Sequence, residues 1–189
     1  MKKLTILVDM DDTIEELGDA WISYLNDKYG ADVARESVTD WDISKFYSNL
    51  TRNQVYEPLK NEELWRNVKP KDGAVEYLKK LIIDGHDIYI LTASHYKSIQ
   101  HKIGLVFLKY FSFIPWRNVI IACNKQMIKG DVLIDDGVHN LLGGDYRKIL
   151  IDAPHNRSFN AEENDVIRAR TWSEVYEAIK KIADEGDIS

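Results

Sequence analysis

The chain has 189 residues, 44% of them hydrophobic and 30% charged, with a net charge of −6. That describes a soluble globular protein with one sizeable core and room for an inserted subdomain. The acid excess argues against a general binder of nucleic acid polymers, which needs a basic footprint.

The first element is a strand over Leu4–Val8, an apolar run of the kind buried on both faces of a parallel sheet. It ends in Asp9, Asp11 and Asp12. Leu17, Trp21, Tyr24, Leu25 and Tyr29 then recur at helical spacing, and Gly30 supplies a stop. Residues 31–50 are irregular. Thr51 and Gln54 have capping-box spacing and predict a short helix through Leu59, and Asn61 can cap another turn over Glu62–Trp65. No strand pattern intervenes before Pro70, so 14–70 reads as a helical insertion after the first strand.

Asp72 is expected to cap a helix over Gly73–Asp84, which Gly85 ends. A second strand, Asp87–Leu91, ends in Thr92-Ala93-Ser94, and a helix is expected over Tyr96–Phe111. Further strands are expected at Asn118–Ala122, before Cys123-Asn124-Lys125, at Asp131–Ile134, before Asp135-Asp136-Gly137, and at Lys148–Ile151. Thr171 and Glu174 form a second capping box, opening a last amphipathic helix through about Ala183. Cys123 is the only cysteine, so no internal disulfide can form and a reducing, cytoplasmic compartment is expected. No segment reads as a signal peptide or a membrane span.

Strands alternating with helices over short links predict an α/β fold, a three-layer Rossmann-like parallel sheet. The polar residues gather where strands end, and in an open parallel sheet those ends share one edge. Three carboxylates within Asp9–Asp12 either form a plain acidic turn or hold a divalent cation. Oxygen-only ligands suit a hard ion such as Mg²⁺.

These residues carry a family pattern. Asp9-Met10-Asp11-Asp12-Thr13 after a strand, Thr92 after a second, Lys125 (with Lys129 the weaker choice) and Asp135-Asp136 after a later strand stand in order. The chain thereby resembles the haloacid dehalogenase-like phosphohydrolases along nearly its whole length. Lys69-Pro70-Lys71-Asp72-Gly73-Ala74-Val75, the short helical stretch before it, and Lys125 ahead of Ile134-Asp135-Asp136 resemble the cytosolic type C 5′(3′)-deoxyribonucleotidases more closely. That subfamily usually has Gly-Val where this chain has Asp12-Thr13.

The resemblance implies a core domain of 1–13 and 71–189, a cap of 14–70, and hydrolysis of small phosphomonoesters, deoxynucleoside monophosphates first among them. Asp9 would be the nucleophile, forming an aspartyl-phosphate. Asp11 would be general acid and then base, with its backbone carbonyl on the metal. Thr92 and a backbone N–H of Ala93 or Ser94 would hold phosphoryl oxygens at a helix N-terminus. Lys125 would pair with Asp9 and the phosphoryl group. Mg²⁺ would sit on Asp9, Asp11 and Asp136, with Asp135 beside it or ligating through water.

Against each role stands a plainer one. Asp12 is expected simply to cap the next helix, His95 and His155 to be bystanders, and Cys123 to be a small buried side chain. Among the aromatics of 14–70, Trp21 and Trp65 are expected in the core, and Trp41 and Tyr47 as stacking partners for a nucleobase. Competing readings are a phosphatase for another phosphomonoester such as a sugar phosphate, a phospho-receiver module, and an inactive relative. A receiver has its phosphorylated Asp after the third strand, where this chain has Ala122-Cys123-Asn124. No nucleic acid polymer or membrane partner is expected, and a homodimer is left open.

Overall fold

Alternate residues of β1 (Thr5–Val8) face opposite layers, and both layers are dry. Ile6 and Val8 join Ile88, Ile90, Val132 and Ile134 in one core, whereas Leu7 joins Leu91, Leu133 and Leu150 in another. Burial on both faces makes these strands read as continuous apolar runs. The computed structural model describes residues 2–185. Among them, β1, β2 (Asp87–Thr92), β3 (Val119–Ile121), β4 (Val132–Asp135), β5 (Arg147–Ile151) and β6 (Val166–Ala169) form one parallel sheet in the order β3-β2-β1-β4-β5-β6. β6 stands where the sequence pattern predicts no strand. The strand order reverses between β1 and β4, and in open α/β sheets that switch point is where ligands bind.

The segment between β1 and Pro70 is helical: α1 (Leu17–Tyr29), α2 (Arg52–Tyr56) and α3 (Glu62–Asn67), joined by 3₁₀ turns. Gly30 ends α1 in the left-handed conformation, φ 64°. The Thr51–Gln54 capping box opens α2 in both directions. This segment has a small core of its own, with Ile22, Leu25, Val38, Ile43, Tyr47 and Val55, while Leu17, Leu64 and Trp65 join the main core. Trp65 is buried as expected; Trp21 is half-buried and donates its indole N–H to Val55 O at 2.7 Å.

α4 (Ala74–Ile83) differs at its start from the expected helix. Gly73, not Asp72, is its N-cap, because the chain enters through a left-handed turn at Gly73, φ 74°. The next helix is α5 (Ile99–His101), a π-helical stretch over Lys102–Phe107 and α6 (Leu108–Tyr110) in continuity. It begins at Ile99 rather than Tyr96, because residues 93–98 form an extended link and a turn in which His95 O accepts the N–H groups of Ser98 and Ile99. α7 (Val138–Leu141) follows β4, and α8 (Trp172–Glu185) closes the fold. The Trp172 indole N–H donates to Thr13 O at 3.0 Å, tying α8 to the turn after β1.

Candidate active site

The β1–β4 register pairs Val8 with Ile134, which brings the next residues, Asp9 and Asp135, side by side at the carboxyl edge. The Asp9 N–H continues the ladder to Ile134 O at 2.9 Å. Lys125, from the loop after β3, reaches this edge fully buried. Its ammonium lies 2.6 Å from Asp9 Oδ1 and 2.6 Å from Asp135 Oδ2. Asp136 completes the group, and Asp9, Asp135 and Asp136 offer oxygens within 4.8 Å of one another. Lys129, the weaker alternative, is exposed.

The two acids after β4 are held differently. Both oxygens of Asp135 are used, Oδ1 by the N–H of Gly137 (2.8 Å) and the amide of Asn140 (3.0 Å), Oδ2 by Lys125. Asp136 has Oδ2 3.1 Å from His155 Nε2, and its Oδ1 is buried without a partner. Asn156 donates to the Asp136 backbone carbonyl at 2.9 Å.

Electrostatics follow from this crowding. Burial pushes the Asp9 carboxyl well up, Lys125 opposes it, and Asp135, Asp11 and Asp136 reinforce it. Burial alone would push Lys125 down, but Asp9 and Asp135 outweigh it and hold the ammonium above the usual lysine value. One ammonium among three buried carboxyl groups leaves an excess of negative charge that a divalent cation would balance. All-oxygen donors with one orphaned buried oxygen fit a hard cation.

A second cluster lies beside the first. Lys102 from the π-helical stretch is fully buried and donates to Asp11 Oδ2 (2.6 Å), Thr92 Oγ1 (3.0 Å) and Ala93 O (3.0 Å). Sequence reasoning misses it. Glu15, also missed, is fully buried with neither carboxylate oxygen partnered; burial first, then Asp11, raises its carboxyl well above the usual range. Asp12 is not the N-cap of α1, which is Glu16 with no side-chain cap bond, but its carboxylate accepts the Gly18 N–H of the first turn at 2.9 Å. It also pairs with Arg35 at 3.2 Å, and burial lifts its carboxyl to about 6 against that pairing.

A cleft of about 310 Å³ opens between these strand ends and the helical insertion. Asp9, Asp11, Lys125 and Asp136 line it from the sheet side, and Trp21, Arg35, Trp41 and Tyr56 from the insertion. Several expectations need correction. Thr92 is fully buried and its hydroxyl is engaged by Lys102. Ala93 lines the cleft, with Ser94 half-buried beside it, but no helix N-terminus lies there, since α5 starts only at Ile99. Tyr47 is buried in the insertion's own core, its hydroxyl 3.2 Å from Asn26 Oδ1, so its ring is not available for stacking. Cys123 is exposed and lines the cleft rather than being buried, because it lies past the end of the edge strand β3. Trp41 is half exposed at the cleft, and His95 is exposed.

The family model for 5′ nucleotidase, deoxy (pyrimidine), cytosolic type C protein matches residues 2–184. The chain belongs to the cytosolic type C 5′-nucleotidase family. It is 38% identical over 177 residues to a 5′(3′)-deoxyribonucleotidase of Bacillus subtilis, covering 93% of this chain and 97% of that one. To the 5′(3′)-deoxyribonucleotidase of Clostridium acetobutylicum it is 33% identical over 184 residues, covering 97% and 99%. Its fold is that of the haloacid dehalogenase-like hydrolases. A solved hydrolase of that group from Deinococcus radiodurans, with bound phosphate and sodium, superposes with a TM-score of 0.61 at 13% identity, covering 94% of this chain and 95% of that one. As a 5′-nucleotidase family member the chain is a phosphoric monoester hydrolase, and Asp9, Asp135 and Asp136 form a buried acidic group able to hold a metal ion. None of the helices among its described residues is long and apolar enough to cross a membrane.

Proposed function

We propose that this chain is a Mg²⁺-dependent 5′(3′)-deoxyribonucleotidase that hydrolyses deoxynucleoside monophosphates in two steps through Asp9. The observation that carries the reading is the meeting of Asp9, Lys125 and Asp136 in one buried group at the switch point, facing a small cleft. In the first step an Asp9 carboxylate oxygen bonds to phosphorus as the ester P–O bond breaks, and Asp11 gives its proton to the leaving alkoxide. In the second, water attacks the aspartyl-phosphate, Asp11 takes a proton from that water, and Asp9 leaves as carboxylate. Lys125 stays charged throughout and faces both Asp9 and the phosphoryl oxygens. Ala93 lines the phosphoryl position, and Thr92, buried behind it, accepts from Lys102.

The cation would be held by Asp9, the Asp11 backbone carbonyl and Asp136. Asp136 is favoured over Asp135 because its Oδ1 is free, whereas both Asp135 oxygens are used within the protein. When bound, Mg²⁺ supplies the positive charge that lets a carboxylate approach a phosphate dianion. Residues 14–70 serve as a cap over a core of 1–13 and 71–189, and Trp41 is the aromatic placed to meet a base. The reading implies a small-molecule substrate and a cytoplasmic enzyme.

The test is Asp9→Asn, followed by phosphate release from a panel of deoxynucleotides and sugar phosphates. The parent enzyme should turn over dUMP, dTMP or dGMP with Mg²⁺, and Asp9→Asn should be folded and inactive. Near-normal turnover by Asp9→Asn would remove the nucleophile; turnover of sugar phosphates alone would reject the nucleotide substrate.

A further inference from the structure

Two acceptors, Asp136 Oδ2 at 3.1 Å and Asp136 O at 3.3 Å, face the same ring nitrogen of His155. Only a donor can face two acceptors, so Nε2 carries a hydrogen whatever the state of Nδ1. The imidazole therefore binds the outer edge of the Asp136 carboxylate. The backbone of Asp136 is secured separately, its carbonyl accepting from Asn156, whose amide also donates to Ile151 O at 2.8 Å. With carbonyl and Oδ2 both tied, the carboxylate has one free oxygen, Oδ1, which is buried and unpartnered.

The imidazole is in turn held from the other side of the cleft. Trp41 packs edge-on to His155, ring centroids 5.1 Å apart, and edge-on to His139 at 4.6 Å. Trp41 belongs to the helical insertion, whereas His139 and His155 follow β4 and β5. Trp41 is 55% exposed, and among the described residues these two imidazoles are the rings it packs against.

We propose that His155 is a positioning residue for the metal site. It holds Asp136 by Oδ2 so that Oδ1 is the oxygen left to a cation, and Trp41 locks His155 in that orientation from the insertion. This rests on the reading of Asp136 as a metal ligand. Hydrogen bonds to ligating carboxylates set ligand orientation, and losing such a partner typically weakens metal binding by about 10–100-fold. A consequence is that the insertion and the cation site are coupled: displacing Trp41 loosens the metal without touching any ligand.

The test measures Mg²⁺ binding itself, by titration calorimetry on chelator-stripped protein without substrate, with circular dichroism to confirm folding. His155→Phe keeps a planar ring under Trp41 but removes the donor, and should weaken Mg²⁺ by about 10–100-fold. His155→Gln restores a donor and should recover part of that loss. Trp41→Ala should weaken Mg²⁺ severalfold, in the same direction. A His155→Phe protein with parental Mg²⁺ affinity overturns the positioning role, and an unchanged Trp41→Ala overturns the coupling. If Asp136→Asn also binds Mg²⁺ like the parent, the metal reading itself fails and this inference falls with it. An effect of His155→Phe that His155→Gln does not recover at all would mean that the missing donor is not responsible, and would also overturn the proposal.

Discussion

Lys102→Met isolates the second cluster of the site. Methionine keeps the length and nearly the volume of the lysine stem, so packing against Trp65, whose ring centroid lies 5.7 Å from the ammonium, is retained. Three hydrogen bonds are lost: to Asp11 Oδ2, Thr92 Oγ1 and Ala93 O. In stability the change is partly self-cancelling. The variant forfeits the charge-assisted bond to Asp11, about 1.5–3 kcal/mol in typical cases, but it no longer has to desolvate an ammonium. The Asp11 side chain is 32% exposed and can rehydrate. A net loss of about 1–2 kcal/mol is expected, small enough for the protein to remain folded. In activity nothing cancels. Among the described residues Lys102 is the side chain that hydrogen-bonds both Asp11, from the turn after β1, and Thr92-Ala93, from the end of β2. Without it Asp11, the proposed proton donor, and Ala93, which lines the cleft, can shift relative to each other, and a displacement of about 1 Å costs on the order of 10²-fold. Steady-state phosphate release should therefore show kcat for dUMP down by about 10²-fold. The loss should be smaller for p-nitrophenyl phosphate, whose leaving group needs no proton. A folded Lys102→Met enzyme with kcat within about twofold of the parent would refute the reasoning, since breaking a bond to a charged group costs more than that.

Glu15→Gln tests the buried, unpartnered carboxyl. Its folded value is raised, so the folded state holds its proton above the pH at which the unfolded chain releases it. Stability is then lost as pH rises from the unfolded value, 4.5, toward the folded one. Glutamine has no such loss, and thermal melts should show Glu15→Gln more stable than the parent at pH 7–8, with the gap closing toward pH 4. Chelation by EDTA should abolish turnover and added Mg²⁺ restore it, because the buried acidic group needs a balancing cation; full activity in chelator would contradict this. Tyr47→Phe should cost about 0.5–1.5 kcal/mol in a denaturant melt, for the bond to Asn26, and leave KM for dUMP unchanged, as suits a side chain in the insertion's own core.

What could be read in advance was whatever depends on period and position. Leu4–Val8 is apolar at every residue, so a strand buried on both faces follows, and its end is the edge where acids meet. α1 starts and stops at Leu17 and Tyr29, where apolar spacing and Gly30 put it. Strand ends far apart in sequence share one edge, and so Asp9, Lys125 and Asp135-Asp136 could be grouped before any coordinates. What could not be read depends on depth and on what a side chain meets. Lys102 sits beside Ile103 in an amphipathic pattern, where a single lysine reads as solvated. Position 102 lies three residues after Ile99 and four before Val106, on the face that the core does bury, so what local pattern lacks is the pair of partners, Asp11 and Thr92, that meet the ammonium there. β6 is a short edge strand containing Arg168, whose guanidinium is bound to Asp152, Asn156 and Phe159 O, partners that no local pattern reveals. His155 looks like a bystander until Asp136 is seen beside it. In each case the missing information is a contact between distant segments. In each case, too, the residue holds another group in place rather than reacting. The groups proposed to react lie at strand ends, which topology exposes, whereas their proposed supports come from wherever the fold brings a donor of the right reach.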